Sequence, residues 1–199
     1  MRIPKVIKQL VDILAALPGI GPRQAVRLAF YLIRQGKNSQ RELEEAIASL
    51  QSVGICSRCF YIHEGAGFCE ICADEKRDQS IIAIVEKETD LMSIESTGKF
   101  TGRFLVLGEF GRGGLLEADQ KLKLKSLRSW IVKELSGKAK EIVIAFNPNT
   151  QGDFLATQIA KELEGTAEKM TRLGMGIPSG GEIEFADEET LGSALERRG

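Results

Sequence analysis

The sequence has one histidine, His63, two tyrosines, Tyr31 and Tyr61, and four cysteines that all fall between positions 56 and 72. Those shortages exclude most nucleophile–base chemistry before any motif is weighed. A Ser-His-Asp or Cys-His apparatus needs an imidazole beside its nucleophile, and the one imidazole lies inside the cysteine cluster. No run approaches the roughly 18 apolar residues of a membrane span. No Gly-x4-Gly-Lys-Ser/Thr loop occurs, so nothing cradles a nucleoside triphosphate. Acid is scarce at one end. Residues 1–40 hold Arg2, Lys5, Lys8, Arg23, Arg27, Arg34 and Lys37 against Asp12 alone, a net of +6, which leaves −7 on the remainder for a total of −1. A basic end on an acidic remainder points to a polyanionic partner at that end.

What the chain does have is Cys56-Ser-Arg-Cys59 and, nine residues on, Cys69-Glu-Ile-Cys72. Each pair can set two thiolates on a tight turn, and two such turns facing each other give a tetrahedral all-sulfur site for Zn2+, one structural ion per chain. Four thiolates close such a site and leave no open position for catalysis. Four buried thiols are one alternative and two disulfides the other. The amphipathic pattern begins at Ile3 with no secretory h-region, so a reducing, cytoplasmic setting is expected, which disfavours the disulfides. His63 is expected as a solvated loop residue, and the knuckle as a clip between two domains.

Ile3, Val6, Ile7, Leu10, Ile13, Leu14 and Leu17 form one helical stripe. It ends at Leu17-Pro18-Gly19-Ile20-Gly21-Pro22, where Pro18 stops the helix and Pro22 suits the first turn of the next. That second helix turns Ala25, Leu28, Ala29 and Leu32 inward. Arg23, Arg27 and Arg34 fall within about 40° of one another on its outer face. Ser39 and Glu42 have the spacing of a capping box for a third helix carrying Leu43, Ala46, Ile47 and Leu50. Beyond Cys72 the rhythm changes. Strands are expected at Ile81–Val85, Arg103–Leu107 and Ile142–Phe146, and helices at 89–96, 120–135 and 153–163. The alternation implies βαβ units and a mostly parallel sheet. Functional groups then collect past the carboxyl ends of the strands, here Glu86 and Asn147-Pro-Asn149-Thr-Gln-Gly152-Asp153.

Two helices joined by Leu-Pro-Gly-Ile-Gly resemble a helix-hairpin-helix, a module that holds the DNA backbone. Bare N–H groups at Gly19 and Gly21 can donate to a phosphate, while Arg23, Arg27 and Arg34 supply sequence-independent attraction. A plain helical hairpin with solvated arginines is the competing reading. The strand–helix part resembles a toprim domain, in which a glutamate and an Asp-x-Asp pair hold Mg2+ for phosphoryl transfer. Glu86 matches that pattern, but Asn147 and Asn149 stand at the aspartate positions, and Asp153 lies one residue past the glycine. The resemblance therefore implies a toprim scaffold without its metal chemistry. Asp187 is read as a helix cap, with Glu188 and Glu189 in the first turn, rather than as part of a nucleotide site.

The order helix-hairpin-helix, four-cysteine motif, toprim, short tail resembles the RecR family of recombination mediators. Its expected divisions are 1–53 (helix-hairpin-helix), 54–78 (four-cysteine zinc finger), 79–172 (parallel α/β toprim domain) and 173–199 (helical tail, subunit contact). The resemblance implies a non-enzymatic, nucleoid-associated protein of gap repair. It implies self-assembly into dimers or tetrameric rings, binding to gapped, single- and double-stranded DNA, and work with RecO and RecF in loading RecA. Two places depart from the family's usual sequence: Glu109-Phe-Gly-Arg-Gly-Gly-Leu-Leu116, and Gln151, where a glutamate is common. A Mg2+-dependent strand enzyme using Glu86 and a docking hub without DNA contact are the alternatives.

Overall fold

Pro18 and Gly19 end the first helix close to where the stripe predicts. Helix α1 covers Lys5–Ala15, and the Ala16 and Leu17 N–H groups close it on Ile13 O and Leu14 O. Gly19 takes φ 78°, Gly21 is the N-cap of α2, and Pro22 is its first residue. Helix α2 covers Pro22–Ser49 and is interrupted at Gly36, whose φ of 83° and ψ of 176° are non-helical. That break replaces the expected capping box. Ser39 and Glu42 lie inside the helical second half, and the Gln40 amide reaches back over the break to Leu32 O at 3.0 Å, satisfying a carbonyl the kink sets free. In this computed structural model, which describes residues 3–111, 114–196 and 198, the helices belong to one compact unit, residues 1–53, and the remainder to a second, 54–199. Arg2 of the basic count, and Arg112 and Gly113 of the altered loop, lie outside the described residues.

Strand β1 (Val53–Ile55) begins on the last residue of the first unit and forms a two-stranded ladder with β2 (Ile62–Glu64), which a short helix, α3 (Glu70–Ala73), follows in the second unit. Its centre is a four-stranded sheet of β3 (Asp78–Val85), β4 (Gly102–Val106), β5 (Ala139–Ala145) and β6 (Ala167–Arg172), all parallel, in the order β4-β3-β5-β6. Crossovers run through α4 (Glu88–Glu95), α5 (Ala118–Glu134) and α6 (Thr150–Glu162). Because strand side chains alternate in direction, β3 serves two cores. Ile82 and Ile84 join Leu105, Ile142 and Ile144 against Leu124, Ile131 and Ile159 of α5 and α6. Ala83 and Val85 join Phe104 and Val106 against Leu91 of α4. Burial on both faces explains why β3 reads as an unbroken apolar run.

Three boundaries differ from expectation. Strand β6 (Ala-Glu-Lys-Met-Thr-Arg) has no counterpart among the expected strands, because an edge strand with exposed polar side chains has no apolar run to announce it. Helix α6 begins at Thr150, three residues early, which brings Gly152 into its first turn. His63 sits half-buried in β2 rather than in a loop. A last helix, α7 (Glu188–Glu196), is capped as expected: the Thr190 N–H donates to Asp187 Oδ1 at 2.8 Å, and that bond holds the Asp187 carboxyl below its usual range. Among the described residues, no helix is long and apolar enough to cross a membrane.

Candidate functional site

Cys56 and Cys59 flank a tight turn closed by Phe60 N–H on Cys56 O at 2.9 Å, with Phe60 itself at φ 60°. Cys69 caps α3 and Cys72 lies within it. All four sulfurs are buried and fall within 4.8 Å of one another, Cys59 and Cys69 approaching to 3.4 Å, and none is in a disulfide. A Zn–S bond of about 2.3 Å implies tetrahedral S···S edges of about 3.8 Å, so the donor set suits a tetrathiolate metal ion. The charges agree. Hydrogen bonding from Cys59 holds Cys72 down to about 6, assisted by Arg103, while burial pushes Cys69 up to about 11 and the bond to Cys72 pushes Cys59 up. A divalent ion takes the place of their protons.

The knuckle docks on the outer edge of the sheet. The Val106 N–H donates to Cys59 O at 2.8 Å, which covers the free edge of β4. Phe60 packs into the core under α5 and α6, and Tyr61 and Ile71 into the core under α4. Two adjacent residues on one turn thus grip both faces of the sheet. The structure groups the cysteine motif with the sheet rather than midway between two domains.

On the first unit, Arg23, Arg27 and Arg34 are all exposed on α2. Nothing lies within 4 Å of where a Cβ would stand on Gly19 or Gly21, so the hairpin backbone is open to a ligand. Arg27 and Arg34 border a shallow groove of about 440 Å³ with Phe30 and Tyr31 exposed between them. Those aromatics escaped the sequence reading because at helical spacing they resemble core; the arginine on either side was the available signal.

The sheet's strand order reverses between β3 and β5, and the crevice past their carboxyl ends is where such sheets bind ligands. Glu86, Asn147 and Asn149 do meet there, around a cavity of about 150 Å³ that Lys87, Gln151 and Gly152 also line. Asp153 does not join them; it pairs with Arg172 at 2.5 Å. Asn149 is occupied as the N-cap of α6, its Oδ1 accepting from Gly152 N–H at 2.8 Å. A Cβ on Gly152 would collide with Asn147 O, so glycine is required for this turn. Glu86 is the one carboxylate lining the cavity, and Lys87 beside it pairs with Glu109 at 3.4 Å. Among the described residues, the four cysteines are the only convergent group of three or more metal-ligating side chains.

Sequence comparison places names on these regions. Residues 7–50 match the family described as RecR, helix-hairpin-helix; residues 80–174 match the toprim domain; residues 176–198 match RecR, C-terminal. The recombination protein RecR of Syntrophomonas wolfei is 41% identical over 199 residues, covering 100% of this chain and 98% of that protein. Its counterpart in Chloroflexus aurantiacus is 39% identical over 193 residues (96% and 93% covered), and that of Paenarthrobacter aurescens 37% over 193 (96% and 95%). With its hairpin, cysteine quartet and parallel sheet in that order along nearly the whole length, the chain belongs to the RecR family of recombination proteins.

Proposed function

We propose that the chain is a non-enzymatic DNA-binding mediator of gap repair, cytoplasmic and nucleoid-associated, which works with RecO and RecF to load RecA on single-stranded DNA. The observation that carries this reading is the exposed row Arg23, Arg27 and Arg34 beside the uncovered Gly19–Gly21 backbone. Amides and a helix N-terminus hold one phosphate, and the arginines hold its neighbours along the strand. Neither contact reads a base, so gapped, single- and double-stranded DNA are all accommodated. Phe30 and Tyr31 add a surface on which unpaired bases can stack. Phosphoryl transfer is no part of the proposal, since Asn147 and Asn149 supply no charge beside Glu86 for a hard divalent ion.

Self-assembly into dimers or a tetrameric ring belongs to the same reading. Val6, Ile13 and Ile47 are exposed, and α1 and α2 border an apolar groove of about 650 Å³ that a second copy's stripe fits. The cysteine quartet takes one structural Zn2+, which keeps the knuckle on the β4 edge.

The test is fluorescence anisotropy of a gapped duplex across a salt series, for the natural chain and an Arg23→Ala, Arg27→Ala variant with equal metal content. The variant is expected to bind more weakly, with a log–log salt slope shallower by about 1 to 2. Identical curves would remove the hairpin as the DNA site and favour a docking hub.

A further inference from the structure

Helices α4 and α5 pack on opposite faces of the sheet and carry opposite charge. Helix α4 holds Glu88, Asp90 and Glu95 with no cation, whereas α5 holds Lys121, Lys123, Lys125, Arg128 and Lys133 against Asp119 and Glu134. Lys138 and Lys140 follow, so residues 120–140 have seven cations against Glu134 alone. They do so inside a unit, residues 54–199, whose 19 cations and 24 acids make −5. The acids of α5 are engaged on its flank: Asp119 pairs with Lys123 at 3.2 Å and Glu134 with Lys133 at 3.6 Å. Glu117, one turn before Lys121, forms the capping box of α5 with Gln120. What remains is Lys121, Lys125 and Arg128, spaced i, i+4, i+7 and so within about 60° of one another around the helix. All three are exposed, and among the described residues none of them forms an ion pair. Arg128 is held in place by donating to Glu162 O, at the end of α6, at 3.1 Å.

Like charges three and four apart on a helix repel, and here no ion pair offsets the repulsion. The opposite side of α5, with Leu124, Leu127 and Ile131, is buried in the core, so the row stands on a rigid element. We propose that this outer row of α5, Lys121, Lys125 and Arg128, is a second contact for a DNA phosphate backbone, separate from the hairpin. The proposal rests on the DNA-binding reading given above and gives the sheet unit a part in it. The residue types favour DNA over an acidic protein. Protein interfaces are depleted in Lys and Ser and anchored by Trp, Tyr and Arg. This row is mostly lysine, flanked by the exposed Ser126 and Ser129, and the one ring on α5, Trp130, is half-buried against the Arg103 guanidinium at 3.7 Å. A phosphate takes lysine as a point charge, and such a contact reads no base.

The experiment is fluorescence anisotropy of a short blunt duplex across a salt series, on the full chain and three double variants. Lys121→Ala, Lys125→Ala removes the row's lysines, and Arg23→Ala, Arg27→Ala tests the hairpin. Lys76→Ala, Lys99→Ala removes two charges from exposed loop positions of the same unit. The row variant is expected to bind about tenfold more weakly at low salt, with a log–log slope shallower by about 1 to 2. The loop variant should stay within about twofold, since its charges touch no phosphate. Melting temperatures should agree within about 2 °C, because all these positions are exposed and alanine suits a helix. Equal losses from the row and loop variants would mean that the duplex senses bulk charge only, and would overturn the contact. A row variant that binds like the natural chain would also overturn it; if the hairpin variant is then weak, the DNA reading stands without α5. If the row variant is weak and the hairpin variant binds normally, α5 is the contact and the hairpin is not. No binding by the natural chain at low salt would overturn both. Poly-glutamate held by the natural chain and released by the row variant, with duplex binding untouched, would assign the row to an acidic protein segment instead.

Discussion

Helix α1 carries an apolar stripe as regular as any strand of the sheet, yet none of its residues is buried, and among the described residues of the first unit only Ala25 and Ala29 are. Strand β3, by contrast, has four consecutive buried residues, Ile82 to Val85, with helices on one face and a helix and the knuckle on the other. The stripes are alike in sequence; the cover differs. The sheet unit finishes its own core and closes its exposed β4 edge with the four-cysteine knuckle. The hairpin unit leaves Val6 76% and Ile13 66% exposed, the surface on which the proposed self-assembly rests.

The largest expected effect comes from breaking the self-sufficient side. Cys59→Ser, or removal of the metal by a strong chelator, uncovers the β4 edge and withdraws Phe60 and Tyr61 from both cores. A loss of about 5 kcal/mol, part of the roughly 10–16 that metal binding supplies to zinc-stapled modules, would lower the melting temperature by about 10–20 °C. Calorimetry with and without chelator measures it. An unchanged transition would mean that the sheet needs no knuckle.

Core and stripe can then be set directly against each other. Ile84→Ala should destabilise the sheet unit by about 2–5 kcal/mol in a denaturant titration, independent of protein concentration. Ile13→Ser should leave that transition within about 0.5 kcal/mol, as for other exposed positions, and instead reduce the oligomer seen by sedimentation. Should Ile13→Ser sediment like the natural chain, the stripe is not the assembly surface.

The same contrast explains what was legible in the residues. The cysteine quartet, the buried strands β3, β4 and β5 and the proline–glycine hairpin each announce themselves through a local pattern. Features that depend on what lies opposite did not. β6 is an edge strand whose polar side chains face solvent, so it has no period to detect. The α2 break falls at Gly36 because one positive-φ residue outweighs the Ser39–Glu42 signature three positions later. Arg103 reads as the first residue of a strand; only the fold shows that it is buried with its guanidinium over Trp130.

The smallest effect sharpens the comparison inside the sheet unit, at the crevice between β3 and β5. Asn149 is spent on capping α6, so Asn149→Ala should cost about 1 kcal/mol, read from a denaturant midpoint. Asn149→Asp keeps the cap, because aspartate accepts from Gly152 N–H as well as asparagine does. Joined to Asn147→Asp it also places two more carboxylates beside Glu86, the charge that a hard divalent ion requires. That double variant should bind Mn2+ measurably by electron paramagnetic resonance at concentrations where the natural chain shows none, with little change in fold stability. If the natural chain binds Mn2+ equally well, the amides have not silenced the crevice, and Glu86 supports metal chemistry after all. If neither chain binds, the backbone turn around Gly152 has moved away from ion-holding geometry, and exchange of two amides was not what separates this crevice from a working one.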